Sequence, residues 1–461
     1  MTYMKKNEKI AAKFLLLYLI AMSSGFCYSQ NVLTYFPETN GKVYAVAIKG
    51  DTAYIGGYFT IVGGLNRNYL AAINIRTGAV LNWNPGWMDG FVNTITVSKT
   101  AIYVGGQFSI IGTQHRSSIA AFDATTGNLT NWNPTLVIKQ SGLPTVNHLL
   151  LSDNKLFVTG YFDSINGQAI LKNSFQQFAV LDTVTGQILN WFTPNGNIYT
   201  AITTNNTFYV GGDFNTIGGQ SRTALAAVYL SNNTISNWNP NPNGRISKII
   251  MKNGKIYVGG TFSTMGSSFK NGLCYIDTAT GLSGNWNPLT TGSQINDMAI
   301  TSDAIFLIGT GAASGLFSYD LLSGNKIDFW SVGGANLTSI ASYGDTVIIG
   351  GSFSKVGWVS RNNLCAVTRG LSLGVNEVNN TLQKINVFPN PATNKISFSL
   401  NETNNKTLNV IITTILGETV FNNTLNYQKE IEIPVTDLNN GLYFIKIQSG
   451  NNTYANKFVK E

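Results

Sequence analysis

Histidine and cysteine are scarce in this chain. Its 461 residues include only 2 histidines and 3 cysteines. The sequence has no H-E-x-x-H or G-x-S-x-G motif and no Cys/His set at metal-ligand spacing. Acidic residues occur singly, so no paired general acid and base can be nominated. We therefore expect no metal site and no cofactor, and the sequence nominates no catalytic residue.

Charge is sparse as well. Only 11% of residues are charged, and the net charge of +8 includes no run of Lys and Arg. Such a surface argues against nucleic acid as a partner. No apolar run is long enough to span a bilayer, so we expect no transmembrane segment in the mature chain.

The N-terminus has the pattern of a signal peptide. Basic residues precede a short apolar stretch at residues 14–22, and small residues follow it. We predict that residues 1–29 are removed after Ser29. A lipoprotein signal with Cys27 as its modified residue is the weaker alternative, because the bulky Phe26 precedes that cysteine.

Glycine is abundant, at 47 residues, and it marks an internal repeat. A G-G-x-F unit ends an apolar strand five times, and degenerate copies lie near Thr159 and Gly309. The seven copies are roughly 40 to 55 residues apart. Each repeat reads as four strands, with a T-G turn between the third and the fourth. This pattern predicts an all-β fold, a seven-bladed β-propeller over residues 30–370.

The fourth-strand motif L-N-W-N-P recurs in six repeats but is missing from the seventh. Leu33-Thr34-Tyr35-Phe36-Pro37, directly after the signal peptide, aligns with Leu81-Asn82-Trp83-Asn84-Pro85. We therefore expect the N-terminal segment to complete the last blade as its outer strand and to close the ring. Closure would also remove the exposed sheet edges.

The V-G-G-x-F, R-x-x-L-A-A, T-G and W-N-P elements resemble those of the delta-60-repeat β-propellers, over about residues 31–370. The resemblance implies a fold. That family has no uniform activity to transfer.

A different pattern follows a polar linker at residues 371–384. Residues 385–461 contain P-N-P, L-G-E and N-G-L-Y in that order, among alternating strands that predict a small Ig-like β-sandwich. The motifs resemble the type A sorting domain of the type IX secretion system of Bacteroidetes-type bacteria; an ordinary Ig-like domain is the alternative. The resemblance implies export by that machinery, with the cargo released or attached to the cell surface. The residues that carry it are Pro389, Asn390, Pro391, Leu416, Gly417, Glu418, Asn440, Gly441, Leu442, Tyr443 and Lys457.

Candidate binding residues come from departures from the repeat. Trp87 and Trp358 lie in loops rather than at the repeated fourth-strand position, and local packing is the alternative to a binding role. Long loops of the third repeat contain Lys139, Lys172 and Phe175. One position of the innermost strand varies, and we expect its residues to line a polar channel mouth, with solvation of a water-filled channel as the alternative. They are Thr94, His148, Thr200, Lys248, Asp297 and Ser339; we select His148, Lys248 and Asp297 as a small-ligand site.

Other recurring residues favour a framework role. We expect Cys274 and Cys365 to be buried free thiols, and the turn aspartates to bond nearby backbone. A basic residue recurs before the third strand, and we interpret it as a support for loop carbonyls rather than as a ring for anionic glycans. Its copies are Arg67, Arg116, Arg222, Lys270 and Arg361.

These observations favour a secreted or surface-attached binding module for extracellular polysaccharide or a protein partner. Alternatives are a glycan hydrolase or lyase at the channel mouth and a structural surface-layer component. Paired carboxylates, or His148 hydrogen-bonded to Asp297, would favour the enzyme. A face of aromatic side chains without such a pair would favour binding.

Overall fold

A computed structural model describes most of the chain after the predicted signal peptide. The described residues are 30–139, 142–170, 177–204, 206–288, 290, 294–310, 315–334, 336–369, 382–400, 407–414, 418–449 and 452–461. They divide into two compact units, with the division between Leu371 and Ser372. All regular secondary structure in these ranges is β-strand. The predicted signal peptide and residues 371–381 of the predicted linker lie outside the described residues.

Within the first unit, each of the seven sequence repeats folds into an antiparallel sheet. The innermost strands are Lys42–Lys49, Phe91–Val97, Thr145–Ser152, Ile198–Thr204, Ile246–Lys252, Gln294–Ile300 and Asn336–Tyr343. The second strands are Thr52–Tyr58, Ala101–Gln107, Lys155–Tyr161, Thr207–Gly212, Lys255–Gly260, Ala304–Thr310 and Thr346–Ser352. The third strands are Leu70–Asn74, Ile119–Asp123, Gln177–Asp182, Leu225–Tyr229, Leu273–Asp277, Gly315–Asp320 and Leu364–Arg369.

The fourth position is less regular. It is a paired strand in repeats 4, 6 and 7, namely Thr234–Ile235, Lys326–Gly333 and Gln30–Val32. Repeats 1, 2, 3 and 5 make a single bridge there, Ile73 to Val80, Phe122 to Leu129, Leu181 to Ile188 and Ile276 to Ser283.

Short hairpins connect the second and third strands of six repeats. Their strands are Ile61–Val62 with Leu65–Asn66, Ile110–Ile111 with Gln114–His115, Ser164–Ile165 with Gln168–Ala169, Thr216–Ile217 with Gln220–Ser221, Thr264–Met265 with Ser268–Phe269, and Lys355–Val356 with Val359–Ser360. The third hairpin gains a further strand, Leu136–Val137.

The innermost strands form a closed series. Each packs against the innermost strands of the neighbouring repeats, and the last packs against the first. Glycine makes this close approach possible. A Cβ atom on Gly56 would lie 2.6 Å from Val92 Cγ1 of the next repeat, and one on Gly105 would lie 2.3 Å from Val146 Cγ1. In these two repeats the first glycine of G-G-x-F is therefore required by packing between sheets.

A β-bulge interrupts all seven innermost strands at the same place. The side chain after the bulge accepts a hydrogen bond from the next repeat's innermost strand at four junctions. The acceptor and donor pairs are Thr94 Oγ1 and Leu149 N at 3.1 Å, Thr200 Oγ1 and Ile249 N at 3.0 Å, Asp297 Oδ2 and Ile340 N at 3.1 Å, and Ser339 Oγ and Val46 N at 3.0 Å. This belt of hydrogen bonds satisfies four backbone amides of the innermost strands.

Four of the six repeated tryptophans connect their sheet to the next. Trp83 Nε1 donates to the Asp123 carbonyl of repeat 2 at 3.0 Å. Trp132, Trp238 and Trp286 donate in the same way to Asp182, Asp277 and Asp320. The receiving turn is fixed by its own aspartate, because Asp123 Oδ1 accepts bonds from the backbone of Thr125 and Thr126. The expected role of the turn aspartates is confirmed.

The recurring basic residue supports the fourth segment of its own repeat. Arg67, Arg116 and Arg222 each donate from Nη2 to the carbonyl fourteen residues ahead, at 2.7 to 2.9 Å. Lys270 Nζ donates to the Gly284 carbonyl at 2.7 Å. Arg361 Nη2 donates to the Leu33 carbonyl, which is equivalent to that of Leu81 in repeat 1, and Arg361 Nη1 donates to the Phe36 carbonyl. The framework interpretation of these residues is therefore confirmed.

The N-terminal segment lies on the last sheet. Gln30–Val32 pairs antiparallel with the third strand of repeat 7, and Leu33 N donates to the Ala366 carbonyl at 2.8 Å. Leu81 N makes the equivalent bond to Ala72 within repeat 1. The paired strand thus precedes Leu33, while Leu33 itself occupies the motif position that the alignment assigned to it.

Cys274 and Cys365 are buried and free, as expected. Burial raises the pKa of each thiol to about 12. They act as small apolar side chains of the core.

The second unit consists of two sheets that share one hydrophobic core. The larger contains Leu382–Lys384, Asn452–Lys460, Gly441–Ser449, Thr407–Thr414 and Thr419–Asn426 in that order. The smaller contains Val387–Phe388, Lys395–Phe398 and Ile431–Pro434. Phe398, Val410 and Ile447 are among the fully buried residues between them.

We predict that Trp132→Phe lowers the free energy of unfolding by about 1 kcal/mol more than Trp191→Phe does. Both changes remove an indole N–H, but only Trp132 Nε1 donates a hydrogen bond. Trp191 Nε1 is buried and has no partner in the part of the chain that the structure describes. Urea denaturation of the two variants measures the difference. Equal losses would mean that the bond between sheets contributes nothing.

Candidate functional site

One edge of the first unit carries residues that differ from repeat to repeat. In an antiparallel pair the start of one strand lies beside the end of its partner, so Lys42 pairs with Tyr58 and Phe91 with Gln107. The six hairpins leave from the same strand ends. We call this edge, with its hairpins, the hairpin face.

Four aromatic side chains meet on the hairpin face between repeats 1 and 2. We call Tyr44, Tyr58, Tyr69 and Phe91 the aromatic cluster. The ring of Tyr58 lies 5.8 Å from that of Tyr69 and 6.1 Å from that of Phe91, and Phe91 lies 6.0 Å from Tyr44. Tyr58 is 58% exposed, and the other three are partly exposed. The cluster is therefore an accessible aromatic surface rather than core.

Sequence reasoning missed this cluster, although a signal was present. Tyr58 is the variable residue of G-G-x-F, where other repeats place Gln107, Tyr161, Asp213, Thr261 and Ser352. That residue points outward at the end of the second strand, so its variation marks a surface. The contact with Phe91 of the next repeat could not be read from one repeat.

Three of these positions recur in a polar cluster between repeats 4 and 5. We call Asn197, Tyr199, Asp213 and Arg245 the polar cluster; they are equivalent to Lys42, Tyr44, Tyr58 and Phe91. The Tyr199 hydroxyl donates to Asp213 Oδ2 at 2.7 Å and accepts from Asn197 Nδ2 at 3.1 Å. The Arg245 guanidinium lies 5.4 Å from the Tyr199 ring. Burial, followed by the bond to Asp213, raises the pKa of the Tyr199 hydroxyl.

The two candidate tryptophans lie in different loops, Trp358 on the hairpin of repeat 7 and Trp87 in the connection from repeat 1 to repeat 2. Trp358 is at the tip of the repeat 7 hairpin and is 98% exposed, with Lys355 Nζ 5.8 Å from its ring. Trp87 is 52% exposed, and its carbonyl accepts a bond from Gly112 of the repeat 2 hairpin at 2.8 Å. Repeat 1, with part of the aromatic cluster, lies between those repeats in the ring.

The repeat 3 candidates are only partly described. Lys139 N donates to Asp163 Oδ2 at 2.6 Å, which ties the entering loop to the start of that repeat's hairpin. Lys172 and Phe175 lie outside the described residues.

The innermost strands bring two of the three channel candidates into direct contact. Lys248 Nζ lies 2.7 Å from Asp297 Oδ1, and Asp297 also accepts bonds from the backbone of Met298 and Ile340. His148 makes an edge contact with Tyr199 at 5.6 Å. Among the described residues its ring nitrogens have no hydrogen-bond partner, so His148 is not bonded to Asp297.

His148 is neutral at neutral pH. The surrounding protein desolvates its ring, and the charge of Lys248 adds to this effect, so the pKa falls from 6.5 to about 4. The charge of Asp297 opposes the shift but does not overcome it. A histidine with this pKa is a poor general base for chemistry near neutral pH.

Within the described ranges, no group of three or more His, Cys, Asp or Glu side chains is arranged to hold a metal ion. In the same ranges no helix is long and apolar enough to cross a membrane.

In the second unit, Asn390 of the P-N-P motif holds the last strand. Its Oδ1 accepts a bond from Val459 N at 2.9 Å, and its Nδ2 donates to the Lys457 carbonyl at 3.3 Å. Tyr443 stacks on Phe458 at 5.6 Å and donates to the Asn439 carbonyl at 2.8 Å. The other described motif residues outside P-N-P are exposed: Glu418, Asn440, Gly441, Leu442 and Lys457. Leu416 and Gly417 lie outside the described residues.

Residues 386–461 match the family described as "Secretion system C-terminal sorting domain". The second unit is that sorting domain. The protein is therefore exported by type IX secretion and is located at the cell surface or outside the cell. The sorting domain also implies interaction with the secretion machinery.

Solved structures show what the first unit is similar to. The β-propeller domain of Cps50 (Swd1) from Myceliophteria thermophila has a TM-score of 0.50 at 9% identity, covering 74% of this chain and 99% of that one. The WD40 β-propeller domain of Doa1 has a TM-score of 0.46 at 13% identity, covering 74% and 96%. No curated protein matches the chain in sequence. The first of these structures shows that the first unit has a β-propeller fold, and at 9% identity it shows the fold alone.

We predict that stability falls as pH falls through the window from 6.5 to 4. The pKa of His148 is lowered in the folded state, so the unfolded chain binds more protons in that window. His148→Asn should remove this part of the pH dependence, whereas the exposed His115→Asn should leave it unchanged. Urea denaturation at several pH values measures both. Parallel curves for wild type and His148→Asn would contradict the prediction.

We also predict different effects for two asparagines of the sorting domain. Asn390→Ala should speed hydrogen exchange in the segment 452–461, because Val459 N loses its acceptor. Among the described residues the Asn440 side chain makes no hydrogen bond to that segment, so Asn440→Ala should leave exchange unchanged. Mass spectrometry of the exchanged protein compares the two. Equal exchange in both variants would show that Asn390 does not hold the last strand.

Proposed function

We propose that this exported protein is a non-enzymatic binding module that holds extracellular polysaccharide on its hairpin face. The observation that carries the proposal is the aromatic cluster. Aromatic rings exposed beside one another offer apolar surfaces on which sugar rings stack, and their hydroxyls bond sugar hydroxyls. Tyr58, 58% exposed at the centre of the cluster, is its main contact residue.

We further propose that the first unit, residues 30–370, is a seven-bladed propeller closed by its N-terminal strand. The closed series of innermost strands and the pairing of Gln30–Val32 with repeat 7 support this. We propose that residues 385–461 form an Ig-like sandwich, supported by two sheets around one core. Residues 1–29 act as signal peptide and residues 371–384 as linker.

The arrangement in the channel favours binding over catalysis. Asp297 is occupied by Lys248 and by two backbone amides, so it is not a free base. His148 is not hydrogen-bonded to Asp297. A hydrolase or lyase at this position would need a paired acid and base. Trp358 on the hairpin of repeat 7 and Trp87 in the connection from repeat 1 to repeat 2 add exposed aromatic surface. Lys139, Lys172 and Phe175 stay candidates for secondary contacts.

The test is retention of the purified protein on a panel of immobilised polysaccharides, with new reducing ends measured in parallel. We expect retention without new ends. Tyr58→Ala should weaken retention at least tenfold, or about 1.4 kcal/mol, because stacking on the cluster is lost. The double variant Trp87→Ala, Trp358→Ala should weaken retention less than Tyr58→Ala does.

Tyr161→Ala is the matched control. Tyr161 is the x residue of repeat 3 and is 46% exposed, but it belongs to neither cluster. Its loss should leave retention unchanged. New reducing ends would make the protein an enzyme, and no retention on any polysaccharide would favour a protein partner.

A further inference from the structure

Tyrosine occupies the bulge of the innermost strand in two repeats only. The bulged residues are Tyr44, Asn93, Asn147, Tyr199, Ser247, Asn296 and Thr338 in repeats 1 to 7. Tyr44 contacts the first residue of the next innermost strand, and Tyr199 contacts the residue directly before the next innermost strand. Tyr44 lies 6.0 Å from the Phe91 ring, and Tyr199 lies 5.4 Å from the Arg245 guanidinium. Repeats 1 and 4 are three repeats apart in the series.

The polar cluster has hydrogen-bonding capacity that the protein itself does not use. Asn197 is only 7% exposed, yet its Oδ1 has no partner among the described residues. Ser247 Oγ, two residues after Arg245, is likewise buried without a partner. At the equivalent bulge positions, Asn93 Nδ2 and Thr338 Oγ1 donate to carbonyls of the next repeat. Unused buried polar groups are costly, so their concentration here calls for an external partner.

Positive and negative side chains are equal in number in and beside the polar cluster. Asp213 accepts the Tyr199 hydroxyl beside Arg245, and Lys248 pairs with Asp297 one strand further on. A site with compensated charges and unused donors and acceptors suits a neutral ligand rich in hydroxyls. A fixed Asp, Asn and Arg set provides both acceptors and donors for vicinal hydroxyls.

We infer that the polar cluster is a second sugar-binding subsite, which hydrogen-bonds one neutral sugar residue of the polysaccharide whose chain stacks on the aromatic cluster. This inference rests on the proposed function, and it names the ligand as a neutral glycan. Two subsites on one rigid ring bind a chain that reaches both more tightly than a fragment that reaches one. The protein therefore prefers long oligosaccharides over short ones.

The test uses the full protein and an oligosaccharide ladder from the retained polysaccharide, with affinities from calorimetry. Tyr199→Phe removes only the hydroxyl, and Asp213→Asn removes the negative charge. Each should weaken binding of the longest oligosaccharide at least fivefold and flatten the dependence on length. Thermal unfolding checks that both variants are folded. If one is not, the other decides the result.

Thr261→Ala is the matched control, because Thr261 occupies the Asp213 position in repeat 5 and is exposed. It should bind as wild type does. If Tyr58→Ala loses binding while Tyr199→Phe and Asp213→Asn bind normally, the proposed function stands and the second subsite is wrong. If Tyr58→Ala binds normally and the two polar variants do not, the aromatic site is wrong and the polar subsite stands. Preference for an acidic over a neutral glycan would overturn the ligand class.

Discussion

The sheets of the first unit depend on one another for burial. A strand sequence such as Ile102, Tyr103 and Val104 is buried at every residue, so both faces of its sheet are covered. A single repeat cannot provide that cover, and only the neighbouring sheets can. The glycine at the first position of G-G-x-F, the belt after the bulges and the tryptophan bonds all serve this contact between sheets. Because the last innermost strand packs against the first, no repeat lacks a neighbour.

Because the sheets depend on one another, the residues that pack between sheets can be distinguished from the residues that are free to vary. Side chains that face the next sheet recur from repeat to repeat, because each junction has the same geometry. Residues at the outward end of the second strand are not constrained by the geometry of the junction. Repeats 1, 4 and 5 have Tyr58, Asp213 and Thr261 there. The hairpin face can therefore carry aromatic and polar clusters at equivalent positions without any change in the sheets beneath.

The position after the bulge of the innermost strand shows the reverse case. Thr94, Thr200, Asp297 and Ser339 vary in the sequence as ligand-binding residues would, yet each accepts a backbone bond from the next repeat. Several residue types can make that bond, so variation at this position does not by itself indicate a ligand site. His148 and Lys248 do not make it, and they lie near the polar cluster, whose Tyr199 contacts His148.

The sequence alone determined the features that local spacing encodes. The period of G-G-x-F predicted the sheets, and the T-G turns predicted the connections between strands. P-N-P with N-G-L-Y predicted the sorting domain. Each motif acts within a few residues, so it can be recognised from the sequence. The sequence also located the closing segment, since Leu33 to Pro37 copies a motif. Tertiary structure alone decided which residues meet across a junction: Tyr58 with Phe91, Arg245 with Tyr199, and Lys248 with Asp297. Those pairs lie in different strands or different repeats, and their contact depends on how far one sheet rotates against the next, which the pattern within a repeat does not encode.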